Sequence, residues 1–234
     1  MTQSRAHDYE IDGKTYEAFV AHGSDPAPGV LVFHAWAGRS DFENNKASAL
    51  AGLGYTGIAC DLYGKGVLGM SNEENEKLMT PLASDRPALQ KRLHDNIAMA
   101  KALPEVAGGK LAAIGFCFGG LCVLDIARTG GDVEGVVSFH GLLGSAGNTK
   151  DKINAKVLAL HGWDDPMAPP ADVDAFAAEM NKAGADWQLH AYGGTMHSFT
   201  NPAANDPDFG TVYSPDADRR SWAAMANFIG ELFA

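Results

Sequence analysis

The residues with the most chemistry in their spacing are a cysteine set between glycines, a pair of adjacent aspartates and a histidine, in that order along the chain. Cys117 lies in Gly115-Phe116-Cys117-Phe118-Gly119-Gly120, between an apolar run and a segment apolar enough to be a buried helix. This is the G-x-S-x-G spacing of a nucleophile on a tight strand-to-helix turn, with Cys in place of Ser. Such a turn strains the backbone of the nucleophile and brings strand and helix close, so the positions two before and two after it must be small. Gly115 and Gly119 meet that need. The turn lifts the thiol above the sheet edge and sets it at a helix N-terminus, where the positive end of the dipole favours thiolate. The bland alternative is a structural cysteine beside glycines that let a helix pack on a strand. A G-x-G-x-x-G dinucleotide fingerprint is not present at this position. Cys122, inside the apolar helix, and Cys60 read as core.

A thiol nucleophile needs a base and a group to orient that base. Downstream of Cys117 runs Leu158-Ala159-Leu160-His161-Gly162-Trp163-Asp164-Asp165-Pro166, with Pro169 beyond it. An acidic residue just past a strand end, in a loop bounded by Gly and Pro, suits the orienting role. Asp165 is preferred to Asp164, because the acid in this pattern stands about four residues before the Pro that opens the next helix. Asp164 then reads as a turn-forming or solvated neighbour. His197 follows in Gly193-Gly194-Thr195-Met196-His197-Ser198-Phe199, a glycine-bearing loop able to carry an imidazole back over the sheet edge. The order nucleophile, acid, His suits acyl transfer with backbone N–H groups as the oxyanion hole. Phe118 N–H is one expected donor. Trp36 N–H, from the loop His34-Ala35-Trp36-Ala37-Gly38, is the other. His34 is expected to border the site and His161 to pack at a strand end; His140 either lines the site or closes the sheet, with packing preferred. His7, His22, His94 and His190 lie in polar, surface-like contexts.

These side chains need a scaffold that delivers them to one edge. Apolar and amphipathic runs alternate, which predicts strands interleaved with helices around a mostly parallel sheet. Expected strands cover residues 9–11, 15–21, 30–34, 56–60, 111–115, 133–139, 157–161 and 187–192, and Asp12-Gly13 gives the first two a hairpin turn. Expected helices cover 41–53, 72–79, 87–103, 119–128, 170–183 and 215–233. Gly64, Gly66 and Gly69 make a loop, and with the short helix after it residues 64–84 read as an insert that overhangs the site. The whole reads as one α/β domain over 1–234, with a central sheet of about eight strands flanked by helices.

Composition narrows the partners. The 234 residues are 46% hydrophobic and 20% charged, as in a globular domain able to bury a full core. The formal charge of −11 repels phosphate backbones and anionic membrane surfaces, so neither nucleic acid nor membrane is expected as a partner. No segment reads as a signal peptide or a membrane span. Three cysteines without metal-type spacing suit a reducing, cytoplasmic setting. The expected ligand is a small molecule, and the chain is expected as a monomer or homodimer.

The chain resembles the dienelactone hydrolase (carboxymethylenebutenolidase) family from about residue 30 to its C-terminus. The likeness rests on Cys60-Asp61-Leu62-Tyr63, the elbow at 115–120, Gly162-Trp163-Asp164-Asp165-Pro166 and Met196-His197-Ser198-Phe199-Thr200-Asn201-Pro202. It implies the α/β-hydrolase fold and a cysteine hydrolase that cleaves an ester, enol ester or lactone, with a Cys117–His197–Asp165 triad and neither cofactor nor metal. Three departures stand out. Ala35 occupies the place of the family's thiol-activating Glu, and Asn201 and Asn72 fall where arginines would grip a substrate carboxylate. Neutral esters are therefore the expected substrates, unless Arg39, Lys65 or Arg86 takes over that task. Phe116, Trp163, Met196, Phe199 and Asn201 are expected to line the substrate pocket. The competing readings are a ligand-binding protein without turnover and a thiol sensor on the same fold.

Overall fold

The computed structural model describes residues 2–234. Its centre is an eight-stranded sheet in the order β1-β2-β4-β3-β5-β6-β7-β8. The hairpin β1 (Gln3–Ile11) and β2 (Lys14–His22) forms one edge, turning at Asp12-Gly13 with both residues at positive φ. β2 runs antiparallel to β4 (Thr56–Cys60), and from there the sheet is parallel through β3 (Ala27–Phe33), β5 (Val106–Phe116), β6 (Gly135–Phe139), β7 (Lys156–Gly162) and β8 (Trp187–Tyr192). Strands buried on both faces read as continuous apolar runs, so β4 and β6 were visible in the sequence as short blocks without alternation.

Two apolar layers cover the sheet. One packs α1 (Asp41–Gly52) and α6 (Pro215–Leu232) on Val30, Val32, Ile114 and Phe116. The other packs α3 (Arg86–Lys101), α4 (Phe118–Arg128) and α5 (Pro170–Lys182) on Leu31, Phe33, Ala113 and Ala159. Ser40 caps α1 in a capping box with Glu43. α2 (Asn72–Ser84) runs past Pro81, beyond the expected stop near residue 79, and Asp85 ends it while capping α3. Every residue of α4 is buried, Asp125 and Arg128 included.

One element carries no local sequence signal. β9 (Asn205–Asp206) and β10 (Thr211–Val212) form a small hairpin beyond β8. Its strands are two residues long, so no periodicity announces them.

Candidate active site

Parallel α/β sheets gather functional groups at the carboxyl ends of their strands. β5 delivers Cys117, β6 delivers His140, β7 leads into Asp165, and the loop after β8 carries His197. Cys117 has φ 55 and ψ −114, a conformation that an L-residue keeps only when its surroundings enforce it. Those surroundings are glycines. A Cβ on Gly119 would lie 2.2 Å from the carbonyl oxygen of Phe33, and one on Gly115 would lie 2.0 Å from that of Gly119. Helix α4 thus starts flush against the ends of β3 and β5, and the elbow that this forces carries the partly exposed thiol.

His197 is almost wholly buried and bonds Asp165 Oδ2 through Nδ1 at 2.7 Å. Asp165 is buried too, and its Oδ1 accepts the N–H of Met167 at 2.8 Å. Asp164 faces solvent. The Nε2 atom of His197 has no hydrogen-bond partner of ordinary geometry among the described residues. Burial lowers the proton affinity of His197, but Cys117 on one side and Asp165 on the other outweigh it and push its pKa up to about 10.

The hairpin missed in the sequence fixes the histidine loop. His197 N–H donates to Gly210 O at 3.0 Å, and His197 O accepts Val212 N–H at 3.1 Å. Gly210, at φ 84, lies so close to the acid loop that a Cβ would meet Pro166 at 2.2 Å. The hairpin also brings Phe209, which stacks on Trp36 with centroids 5.9 Å apart. Together they wall a cleft of about 440 Å³ that takes in Cys117 and His197, with Met79, Leu142 and Met167 around it.

Several expected pocket residues lie elsewhere. Asn201 and Asn72 line the cleft, and so does Trp36. Phe116 does not: the strand alternation turns it away from the thiol side, where it stacks on Phe139 at 4.7 Å and meets Phe42 edge-on. Phe199 is core, packed edge-on against His140 and Tyr192. Trp163 stands 45% exposed on the outer surface of the acid loop, and Met196 is half-buried outside the cleft lining. Alternation along β5 turns Phe116 away, and the loops turn Trp163, Met196 and Phe199 away, so adjacency in sequence to the triad candidates did not place these four in the cleft.

His34 is a structural residue. It is buried, its Nε2 accepts Leu62 N–H at 3.1 Å, and its Nδ1 lies 2.6 Å from Ala35 O, which fixes the proton on Nδ1. Burial depresses its pKa, so it holds the 34–38 loop as a neutral ring. The buried carboxylate beneath that loop is Glu43, which accepts both Ser40 N–H and, at 3.4 Å, Ala35 N–H. The capping-box pattern was the sequence signal for it. The three candidate cations are committed elsewhere: Arg39 to Glu17 and Asn44, Lys65 to Asp8 and Glu17, and Arg86 to Asp125. Among the described residues, the cleft lining includes Asp206 and no lysine or arginine. No cluster of three or more His, Cys, Asp or Glu among them is arranged to hold a metal ion.

Residues 16–233 match the dienelactone hydrolase family. The chain belongs to that family. It is an α/β-hydrolase-fold enzyme of the ester- and lactone-cleaving class. An uncharacterized protein of Caenorhabditis elegans is 38% identical over 158 residues, which cover 65% of this chain and all of that protein. The carboxymethylenebutenolidase of Pseudomonas putida is 26% identical over 202 residues, covering 83% and 84% of the two chains. Among solved structures, a dienelactone hydrolase-like promiscuous phosphotriesterase from metagenomic libraries is 34% identical, with a TM-score of 0.93 over 100% of this chain and 99% of that one. Among the described residues, no helix of this dienelactone hydrolase homologue is long and apolar enough to cross a membrane.

Proposed function

We propose that this protein hydrolyses neutral esters or lactones of small molecules through an acyl-enzyme on Cys117. The observation that carries the reading is the His197–Asp165 bond of 2.7 Å, with His197 and Cys117, at the strained elbow, lining one cleft and Cys117 raising the proton affinity of the imidazole. His197 holds the thiol proton as an imidazolium paired with the Cys117 thiolate, and Sγ attacks the carbonyl carbon. The oxyanion is received by the N–H groups of Phe118, in the first turn of α4 with no intrahelical acceptor, and Trp36. The tetrahedral adduct collapses with cleavage of the C–O bond, and the imidazolium returns its proton to the leaving alkoxide. A water then gives a proton to His197, attacks the thioester and releases the acid. Asp165 keeps the imidazole oriented throughout.

The cleft supports a neutral substrate. Its lining holds the amides of Asn72 and Asn201 and the carboxylate of Asp206, while Arg39, Lys65 and Arg86 are paired with acids outside it. A substrate carboxylate would lose charge-assisted hydrogen bonds of about 1.5–3 kcal/mol each. Neutral phosphotriesters belong in the same panel, given the relative named for that activity. Free cysteines at 60, 117 and 122 fit the reducing cytoplasm.

The test is a panel of matched neutral and carboxylate-bearing esters and lactones, with wild type and Cys117→Ala side by side and intact-mass detection of the acyl adduct. Loss of turnover in Cys117→Ala and an adduct on Cys117 are expected. Unchanged turnover in that variant would sink the mechanism. A preference for the anionic member of each pair would overturn the substrate class.

A further inference from the structure

We propose that His140 is a positioning residue for the elbow: a neutral imidazole, protonated on Nε2, whose Nδ1 accepts the backbone N–H of Cys117 while its ring backs that of His197. Its meaning for catalysis rests on the Cys117 mechanism above. β6 ends at Phe139, and His140 leaves the strand at φ 39, in the left-handed region that few residues other than glycine adopt. Its own N–H is tied to Leu160 O at 2.8 Å, and its side chain is buried.

Both ring nitrogens are engaged. Nδ1 lies 3.2 Å from Cys117 N, and Nε2 lies 2.8 Å from Thr200 Oγ1. A backbone N–H can only donate, so Nδ1 is the acceptor and the proton sits on Nε2, directed at the hydroxyl of Thr200. The chemistry of the two partners fixes the tautomer. The Cys117 N–H is shared with Phe139 O at 3.1 Å, a three-centre bond that clamps the peptide plane from which the strained φ of Cys117 departs.

The surroundings keep the ring neutral. His197 meets it edge-on at 5.1 Å and Phe199 edge-on at 5.0 Å, while Phe116 is tilted against it at 6.0 Å. Burial first, then the charges of His197 and of Lys46 from α1, hold His140 well below the ordinary histidine range. A second proton would turn N–H against N–H at Cys117 and set two imidazolium rings face to edge. A phenylalanine would fill the same space between Phe116, Phe199 and His197 but would hold neither the elbow amide nor Thr200.

The test contrasts His140→Phe, which keeps ring volume, with His140→Asn, which keeps an acceptor near Nδ1 and tolerates left-handed backbone. On a 4-nitrophenyl ester, kcat of the Phe variant is expected to fall at least about ten-fold with KM within about two-fold, while the Asn variant stays within about three-fold of wild type. Melting curves run on each variant separate this from unfolding, and wild-type kcat in a folded His140→Phe overturns the proposal. Histidine 15N spectra of the wild-type protein, with the Asn variant assigning the signal, test it without relying on that variant's stability. A neutral Nε2–H ring at neutral pH is expected, and a protonated or Nδ1–H ring there overturns it. Cys117→Ala runs in parallel: turnover that survives it defeats the Cys117 mechanism, while the spectra still decide the state of His140.

Discussion

Asp164 and Asp165 share a side chain and a loop, yet the acid loop turns one outward and the other under His197. An orienting carboxylate acts by fixing tautomer and direction, so what matters is the bond and not the nearby charge. Asp165→Asn is expected to lower kcat by about two to four orders of magnitude, and Asp164→Asn by less than about three-fold, in the ester assay. His197 carries a second expectation, because its pKa of about 10 in the fold stands above the ordinary value of 6.5. The folded state binds this proton more tightly than the unfolded chain does. The stability it contributes is therefore complete below about pH 6.5 and is lost as pH rises through about 10. Thermal melts from pH 7 to 10 should show a fall in Tm that is smaller in His197→Gln. Equal falls in both proteins would contradict the assignment.

At the scale of elements, the elbow depends on close approach. Gly119→Ala would drive a methyl into the carbonyls of Phe33 and His34, both of them backbone that has no easy way to yield. Overpacking of this kind costs about 1–3 kcal/mol, and here it also displaces Cys117. Gly193→Ala meets nothing within 4 Å and serves as the neutral control. Urea melts and ester turnover should separate the two variants, and a native-like Gly119→Ala would refute the steric account. The β9–β10 hairpin does another job: it holds the His197 backbone and presents Phe209 to Trp36 across the cleft. Phe209→Ala removes apolar contact that ground state and transition state share, so KM should rise several-fold with kcat within about two-fold. A fall in kcat at constant KM would assign Phe209 to the transition state instead.

Across the whole molecule, a buried ionic network ties α3, α4 and α5 together at a distance from the cleft. Asp125 on α4, with no exposed side-chain surface, pairs with Arg86 at 2.5 Å and also with Arg128, which in turn holds Glu179 of α5 at 2.8 Å and the carbonyl of Leu143 at 2.6 Å. Gln90 adds a bond to Asp125 at 3.0 Å. Removing one member strands a buried charge, at a cost of about 3–5 kcal/mol. Asp125→Ala should lose that much in urea unfolding while its folded fraction keeps kcat, because no member of the network lines the cleft. An undiminished stability would mean that water repairs the gap. Beside this network lies a second cleft, of about 480 Å³, between the 143–151 loop and α5, and it contains none of the triad candidates.

The local order of the chain determined a good deal. The G-x-C-x-G turn, the order Cys, Asp, His and the apolar blocks of β3 to β7 follow from short-range sterics and hydrophobic patterning, which act over a few residues and are written there directly. The sequence also pointed to Asp165 over Asp164, through a spacing to Pro169. Other features arise only when distant segments meet. Whether Phe116 and Phe199 face a substrate or a core depends on which layer covers each side of the sheet. The hairpin at 205–212 has too few residues to show a period, and exists through its bonds to His197. The engagement of Arg39, Lys65 and Arg86 by acids from other elements decided that none is left to meet an anionic substrate in the cleft. The role of His140 depends on a contact with a backbone amide 23 positions away and a hydroxyl 60 positions away, and no local pattern encodes such pairs. Tertiary structure decided these points because hydrogen bonds and burial depend on distance in space, which the chain fixes only once it is folded.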